Sequence, residues 1–129
     1  MSFDWSQYLN LAKELTDQPT TPANQEAKLR DAISRAYYAA FILARNYLRD
    51  QEGISILKIS DAHRYVWEQF KLNPHPQRQL IANNLKRLRA YRNQADYVDK
   101  FPGLAGTTII ALDLSEEVIS ILTSLQHLP

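Results

Sequence analysis

Apolar side chains recur along this chain at intervals of three and four residues, the spacing that lines one face of an α-helix. From Asp4 to about Asp17 they are Trp5, Tyr8, Leu9, Ala12 and Leu15, and Asp4 followed by Gln7 makes a capping-box start. Gln18-Pro19-Thr20-Thr21 breaks the pattern, and Thr21 before Pro22 reads as a cap with proline at the first helical position. The helix that follows runs to about Gln51. Leu29, Ile33, Ala36, Ala40, Leu43 and Tyr47 form an unbroken seam along it, widened by Tyr37, Phe41, Ala44 and Leu48, and Gly53 ends it. Ala36, Ala39, Ala40 and Ala44 leave room for a partner helix, which places this helix centrally.

Ser60 and Asp61 can cap a third helix carrying Tyr65, Val66, Trp67 and Phe70. Asn73-Pro74-His75-Pro76 opens a fourth, expected to reach about Lys100 with Ile81, Leu85, Leu88, Tyr91, Ala95 and Val98 on its apolar side. Phe101-Pro102-Gly103 is its stop signal. A fifth helix, starting between Leu104 and Thr108, is expected to bury Ile110, Leu114, Val118, Ile121 and Leu125. The run from Thr107 to Ile110 has strand propensity, but the helical period around it prevails. Five helices with short connections predict an all-α fold, an antiparallel up-down bundle.

The 129 residues suffice for one core, and no repeat or low-complexity tract divides them, so a single domain over 1–129 is expected. Three glycines are too few for a chain of tight β-turns, and the absence of cysteine excludes disulfide scaffolds, thiolate zinc sites and cysteine nucleophiles. The start, Met1-Ser2-Phe3-Asp4-Trp5, is not a secretory signal, and no apolar run approaches the roughly 20 residues that span a bilayer. A cytoplasmic protein without membrane contact is expected.

Charge is unevenly placed. Residues 1–75 are neutral, with nine basic and nine acidic side chains. Residues 76–100 carry Arg78, Lys86, Arg87, Arg89, Arg92 and Lys100 against Asp96 and Asp99, a balance of +4, and residues 101–129 carry only Asp113, Glu116 and Glu117, a balance of −3. Two arrangements fit: ion pairs between the fourth and fifth helices, or a basic surface open to a polyanion.

No Gly-rich phosphate loop, His-Glu-x-x-His motif or Gly-x-Ser-x-Gly elbow is present, and His63, His75 and His127 are too scattered for a local metal motif. No cofactor is expected. A compound pattern does stand out: Asp4-Trp5-Ser6-Gln7-Tyr8-Leu9 in the first helix, Ser34-Arg35-Ala36-Tyr37-Tyr38-Ala39-Ala40-Phe41 in the second, His63 near the start of the third, and Arg89-Ala90-Tyr91-Arg92-Asn93-Gln94-Ala95-Asp96-Tyr97 in the fourth. In order and placement these resemble the HEPN (higher eukaryotes and prokaryotes nucleotide-binding) family, and more narrowly its small stand-alone bacterial branch.

The resemblance implies a bundle of four to five helices, frequently dimeric. Many members are metal-independent endoribonucleases, often toxins paired with a nucleotidyltransferase-type antitoxin. Their signature is an arginine followed, after four to six residues, by a histidine on the fourth helix. An imidazole near neutral pKa moves the 2′-hydroxyl proton, and a guanidinium stabilises the phosphorane. In this chain Arg92 matches the arginine and Asn93 the polar residue after it, but Tyr97 stands at the first histidine position, followed by Val98 and Asp99. With an ordinary pKa of about 10, roughly one tyrosine in a thousand is ionised at pH 7, which makes it a poor general base.

The candidate site residues are therefore Arg92, Asn93, Asp96, Tyr97, Arg89, Arg35, Tyr38 and His63. Arg92 and Asp96, one turn apart, either form a structural ion pair beside a core tyrosine or help Tyr97 hold a nucleotide or an RNA end. Arg35, Tyr38, Ile42 and Arg45 form a second stripe that packs on another helix or on a second copy of the chain. For His63 a capping or packing role is favoured over proton transfer. Three functions remain open, and the first is preferred: a non-catalytic RNA- or nucleotide-binding module of a toxin–antitoxin or defence system, an endoribonuclease using Arg92 with a non-standard base, or a regulatory partner of a nucleotidyltransferase.

Overall fold

A computed structural model describes residues 3–17, 22–56 and 61–127, and among these every regular element is helical. The helices are α1 (Gln7–Asp17), α2 (Pro22–Glu52), α3 (Ala62–Lys71), α4 (Pro76–Tyr97) and α5 (Leu104–Gln126). They form the expected all-α bundle, and α2 packs against all four others. Contacts fix the directions. Tyr38 meets Arg92 and Glu52 meets Arg78, so α4 runs antiparallel to α2, while Arg35 of α2 meets Tyr8 of α1. Tyr37 meets His63 and Tyr47 meets Phe70, so α3 runs alongside α2 in the same sense and begins level with its middle.

Helix boundaries follow local chemistry. α1 starts at Gln7, later than an N-cap at Asp4 would place it, because the Asp4 carboxylate holds the preceding turn by accepting from the Ser6 N–H (3.0 Å) and the Ser6 hydroxyl (2.6 Å). The Thr21 and Ser60 caps lie outside the described residues, and Asp61 precedes α3 without a side-chain capping bond. At α4, Pro76 takes the first turn and His75 Nδ1 accepts from the Gln77 N–H at 3.2 Å. Gly53 (φ 67°) and Gly103 (φ 71°) sit where the chain turns left-handed, after α2 and before α5, a conformation that costs side-chain-bearing residues energy.

The fourth helix stops at Tyr97, short of the expected Lys100. A side chain from α2 intervenes: Arg30 Nη1 donates to the carbonyls of Ala95 (2.8 Å) and Val98 (2.7 Å), and Nη2 to that of Asp99 (2.8 Å). These bonds satisfy carbonyls that the end of a helix leaves free, and they add a cation where the helix dipole favours one. Val98, expected on the apolar stripe, is exposed as a result.

The start of α5 departs from expectation at Ile110, whereas Val118, Ile121 and Leu125 are buried as expected and Leu114 is partly buried. Thr108, Ala111, Ser115, Val118, Ile121, Leu122 and Leu125 face inward, while Ile109 and Ile110 are 62% and 42% exposed. Small residues win these core positions because α2 presents Ala32 and Ala36 opposite, and Ser115 Oγ donates to the Ala36 carbonyl at 2.7 Å. A branched side chain at Ser115 would force the helices apart. At the other end of α4, the buried Arg78 is paired with Glu52 at 2.7 Å and lies over the Phe70 ring at 4.9 Å, which ties the end of α2 to the start of α4.

Replacing Arg30 with alanine removes three charge-assisted bonds to one helix end. A loss of about 2 kcal/mol in urea denaturation is expected, against no measurable change for Arg49→Ala, whose exposed ion pair with Asp50 joins no two helices.

Candidate functional site

Leu88 and Ala95 are buried in the core, and this turns Arg92, which lies between them on α4, towards α2. Its Nη2 donates to the Tyr38 hydroxyl at 2.7 Å and its Nη1 to Asn93 Oδ1 at 3.2 Å. Nε lies 3.0 Å from Asp96 Oδ2, but its N–H is not aimed at that oxygen, so this contact is more an ion pair than a directed hydrogen bond. The rings of Tyr37, Tyr38 and Tyr97 lie 5.7, 5.2 and 5.6 Å from the guanidinium carbon, within cation–π range. Arg92 is therefore a cation fixed through both Nη atoms, with Nε buried beside Asp96 without a directed hydrogen bond. The Arg92–Asp96 pair forms as its spacing suggests, but Tyr97 is no core tyrosine. It is the last residue of α4 and is 72% exposed.

His63 lies behind this cluster and is only 5% exposed. Its Nδ1 is 3.1 Å from the Tyr37 hydroxyl, and its ring stacks on Phe41 with centroids 5.9 Å apart. Burial first, then the nearby Arg89 and Arg92, pushes the imidazole down to about 4. Burial pushes the Tyr37 phenol up to about 12, against the opposing pull of Arg92. Both groups are neutral at pH 7. The packing role expected of His63 is what its surroundings display.

Between α3 and α4 opens a cleft of about 260 Å³ lined by His63, Arg64, Trp67, Lys86, Arg89, Ala90 and Asn93. No carboxylate lines it. Arg64 is partly offset by Glu68, 3.4 Å away, and Lys71 and Lys86 lie over the Trp67 ring at 5.2 and 5.3 Å. Arg89 makes no ion pair among the described residues. Asn93 joins the two clusters, because its Oδ1 accepts from Arg92 while the residue also lines the cleft. No three His, Asp or Glu side chains among the described residues are grouped to hold a metal ion.

The structure thus gathers Arg92, Asn93, Asp96, Tyr97 and Tyr38 into one cluster, with His63 and Arg89 on the adjoining cleft. Arg35 is not brought to either. It pairs with Asp31 at 3.3 Å and covers the Tyr8 ring of α1 at 5.1 Å. The second stripe of α2 is accordingly split between α1 and α4. Trp67, Lys86 and Tyr37 were absent from the candidate set. Their signal was present, since His63 and Trp67 are four apart and Lys86, Arg89 and Asn93 follow intervals of three and four.

No ion pair joins α4 to α5 among the described residues. On the acidic helix, Glu116 meets Lys13 of α1 at 3.5 Å and Glu117 accepts from the Asn84 amide at 2.8 Å. The basic surface of α4 is therefore not neutralised by α5.

One family model, described as the HEPN domain, matches residues 22–126, which span α2 to α5 and every residue of the two clusters. Neither a curated protein nor a solved structure gives a match.

The state of His63 has a consequence for stability. Between about 4 and its ordinary value of 6.5, the unfolded chain binds a proton there that the native chain refuses. Stability is thus expected to fall as pH drops through that window, with the loss complete below about 4. Urea midpoints at pH 7 and pH 4.5 should differ less in His63→Gln than in the native chain. Equal differences would contradict this assignment.

Proposed function

The chain belongs to the HEPN domain family, and on that premise we propose that it is a non-catalytic member whose α4 surface binds RNA or a nucleotide. The observation that carries this reading is the arrangement at the end of α4. Arg92 is held by the Tyr38 hydroxyl, Asp96 and the Tyr37 and Tyr38 rings, beside a Tyr97 ring open to solvent. A guanidinium already fixed in place loses little entropy on meeting a phosphate. An exposed tyrosine face accepts a base of any sequence, each stack contributing about 1–3 kcal/mol. The uncompensated charge of Lys86, Arg87 and Arg89 on the same helix favours a polyanion as the ligand.

Two groups near Arg92 speak against proton transfer at neutral pH. His63 sits at about 4 and is buried, and Tyr37 sits at about 12. Neither lies near 7, where general acid–base catalysis works best. A homodimer, a toxin–antitoxin setting and a nucleotidyltransferase-type partner are carried into this proposal by the family resemblance, and co-purification tests the partner.

Fluorescence anisotropy with a labelled single-stranded RNA tests the binding. Affinity should fall steeply between about 50 and 200 mM salt. Arg92→Ala and Tyr97→Ala should each weaken it about tenfold, equivalent to about 1.4 kcal/mol. Circular dichroism would confirm that both variants remain folded. RNA should stay intact on prolonged incubation with excess protein. Cleavage lost on Arg92→Ala would replace this reading with the endoribonuclease one, and binding indifferent to both substitutions would remove the site.

A further inference from the structure

We propose that the cleft between α3 and α4 seats one nucleoside monophosphate unit, its phosphate against Arg89 and Lys86 and its base against Trp67 and Ala90. This deepens the RNA- or nucleotide-binding reading and rests on it, while placing a single unit where neither Arg92 nor Tyr97 forms the wall.

Three observations support it. Arg64, Lys86 and Arg89 surround the cleft with no carboxylate in its lining, and Arg89 is unpaired among the described residues. Such a concentration of cations on two facing helices is self-repelling until an anion enters. Secondly, polar groups are set aside for a ligand. His63 lines the cleft with its Nδ1 engaged by Tyr37, so any bond to a ligand falls to Nε2. The Asn93 Oδ1 is held by Arg92, which leaves its amide protons free to donate. Thirdly, the floor is apolar and of fitting size. At about 260 Å³ the cleft lies just below the range of about 300–1,000 Å³ usual for small-molecule sites, room for one nucleotide rather than a run of them.

Lys86 links the two halves of the site. Its ammonium rests over Trp67 at 5.3 Å, a weak contact at an exposed position. A phosphate held by Arg89 offers Lys86 a stronger partner. As the ammonium moves to it, that face of Trp67 is uncovered for the base. Phosphate and base thus bind together better than either does alone.

Trp67 reports on this directly, since the chain has two tryptophans and Trp5→Phe leaves Trp67 as the sole tryptophan, which is excited selectively at wavelengths tyrosine does not absorb. Adenosine monophosphate should change its emission saturably. Adenosine and inorganic phosphate, each with one half of the chemistry, should need at least about tenfold higher concentrations. Arg89→Ala should weaken the nucleotide about tenfold, and Arg49→Ala, outside the cleft, should leave it unchanged. The proposal is overturned by an emission that stays constant to about 10 mM nucleotide, by a response undiminished in Arg89→Ala, or by equal affinity for phosphate alone. If Trp67 stays silent while RNA binding still depends on Arg92, the cleft fails and the α4 reading stands. If Trp67 responds while RNA binding ignores Arg92 and Tyr97, the cleft stands and the end of α4 fails.

Discussion

Along α2 the residues at 32, 36, 39, 40 and 44 are all alanine and all fully buried, so its neighbours pack against methyl groups and backbone instead of long side chains. Interaxial distance depends on the side chains at the contact, and small ones allow the closest approach. That closeness explains why α5 turns Ala111 and Ser115 inward and why a Ser115 hydroxyl can reach the Ala36 carbonyl. It also sets the site. Tyr37 and Tyr38 stand between alanines on a helix gripped from several sides, and their hydroxyls are thereby aimed at His63 and Arg92. The Arg92 cluster is positioned by residues that have no polar chemistry of their own.

The charges of α4 divide by what faces them. Arg78 is buried and paired with Glu52, and Arg92 is largely enclosed and paired with Asp96. Both are cations whose fields are mostly spent inside the molecule. Arg87 leans on Tyr91 and Lys86 on Trp67, contacts with neutral rings that leave a full positive charge outside. Arg89 has no such partner. An approaching polyanion would therefore be attracted first by Lys86, Arg87 and Arg89, within a Debye length of about 8 Å at physiological salt. It would reach Arg92 only at contact distance.

The five helices were legible because each carries a long run of apolar residues at helical spacing, with proline or glycine at its borders. Pro76 and Gly53 mark their boundaries well. Where the reading failed, the deciding contact came from elsewhere in the chain. Nothing around Lys100 announces that Arg30 will take the last carbonyls of α4, and nothing around Ile110 reveals the alanines that α5 must fit. The same holds for the site. Arg92 and Asp96 are legible together because their pairing is local, one turn apart on one helix. The Tyr38 bond to Arg92 and the His63–Tyr37 bond span 54 and 26 residues, and only the resemblance drew attention to their members. Arg35 is the converse case, a motif residue whose partners are Asp31 on its own helix and Tyr8 of α1.

A tyrosine at position 97 changes more than the identity of one base. A histidine on the last turn of α4 would sit near Arg92, a cation that disfavours protonation of an imidazole, and near Asp96, a carboxylate that favours it. Tyr97 offers Arg92 its ring instead, so the ion pair of this cluster is Arg92 with Asp96. A guanidinium balanced by its own carboxylate contributes orientation and hydrogen-bonding edge more than net attraction. The attraction then has to come from cations without acidic partners, and those lie one turn back on α4, around Arg89 and the cleft. Asn93 stands between the two, holding Arg92 on one side and lining the cleft on the other. With tyrosine at position 97, the cations without acidic partners among the described residues lie towards the middle of α4, and Arg92 stands beside them as a fixed, paired cation.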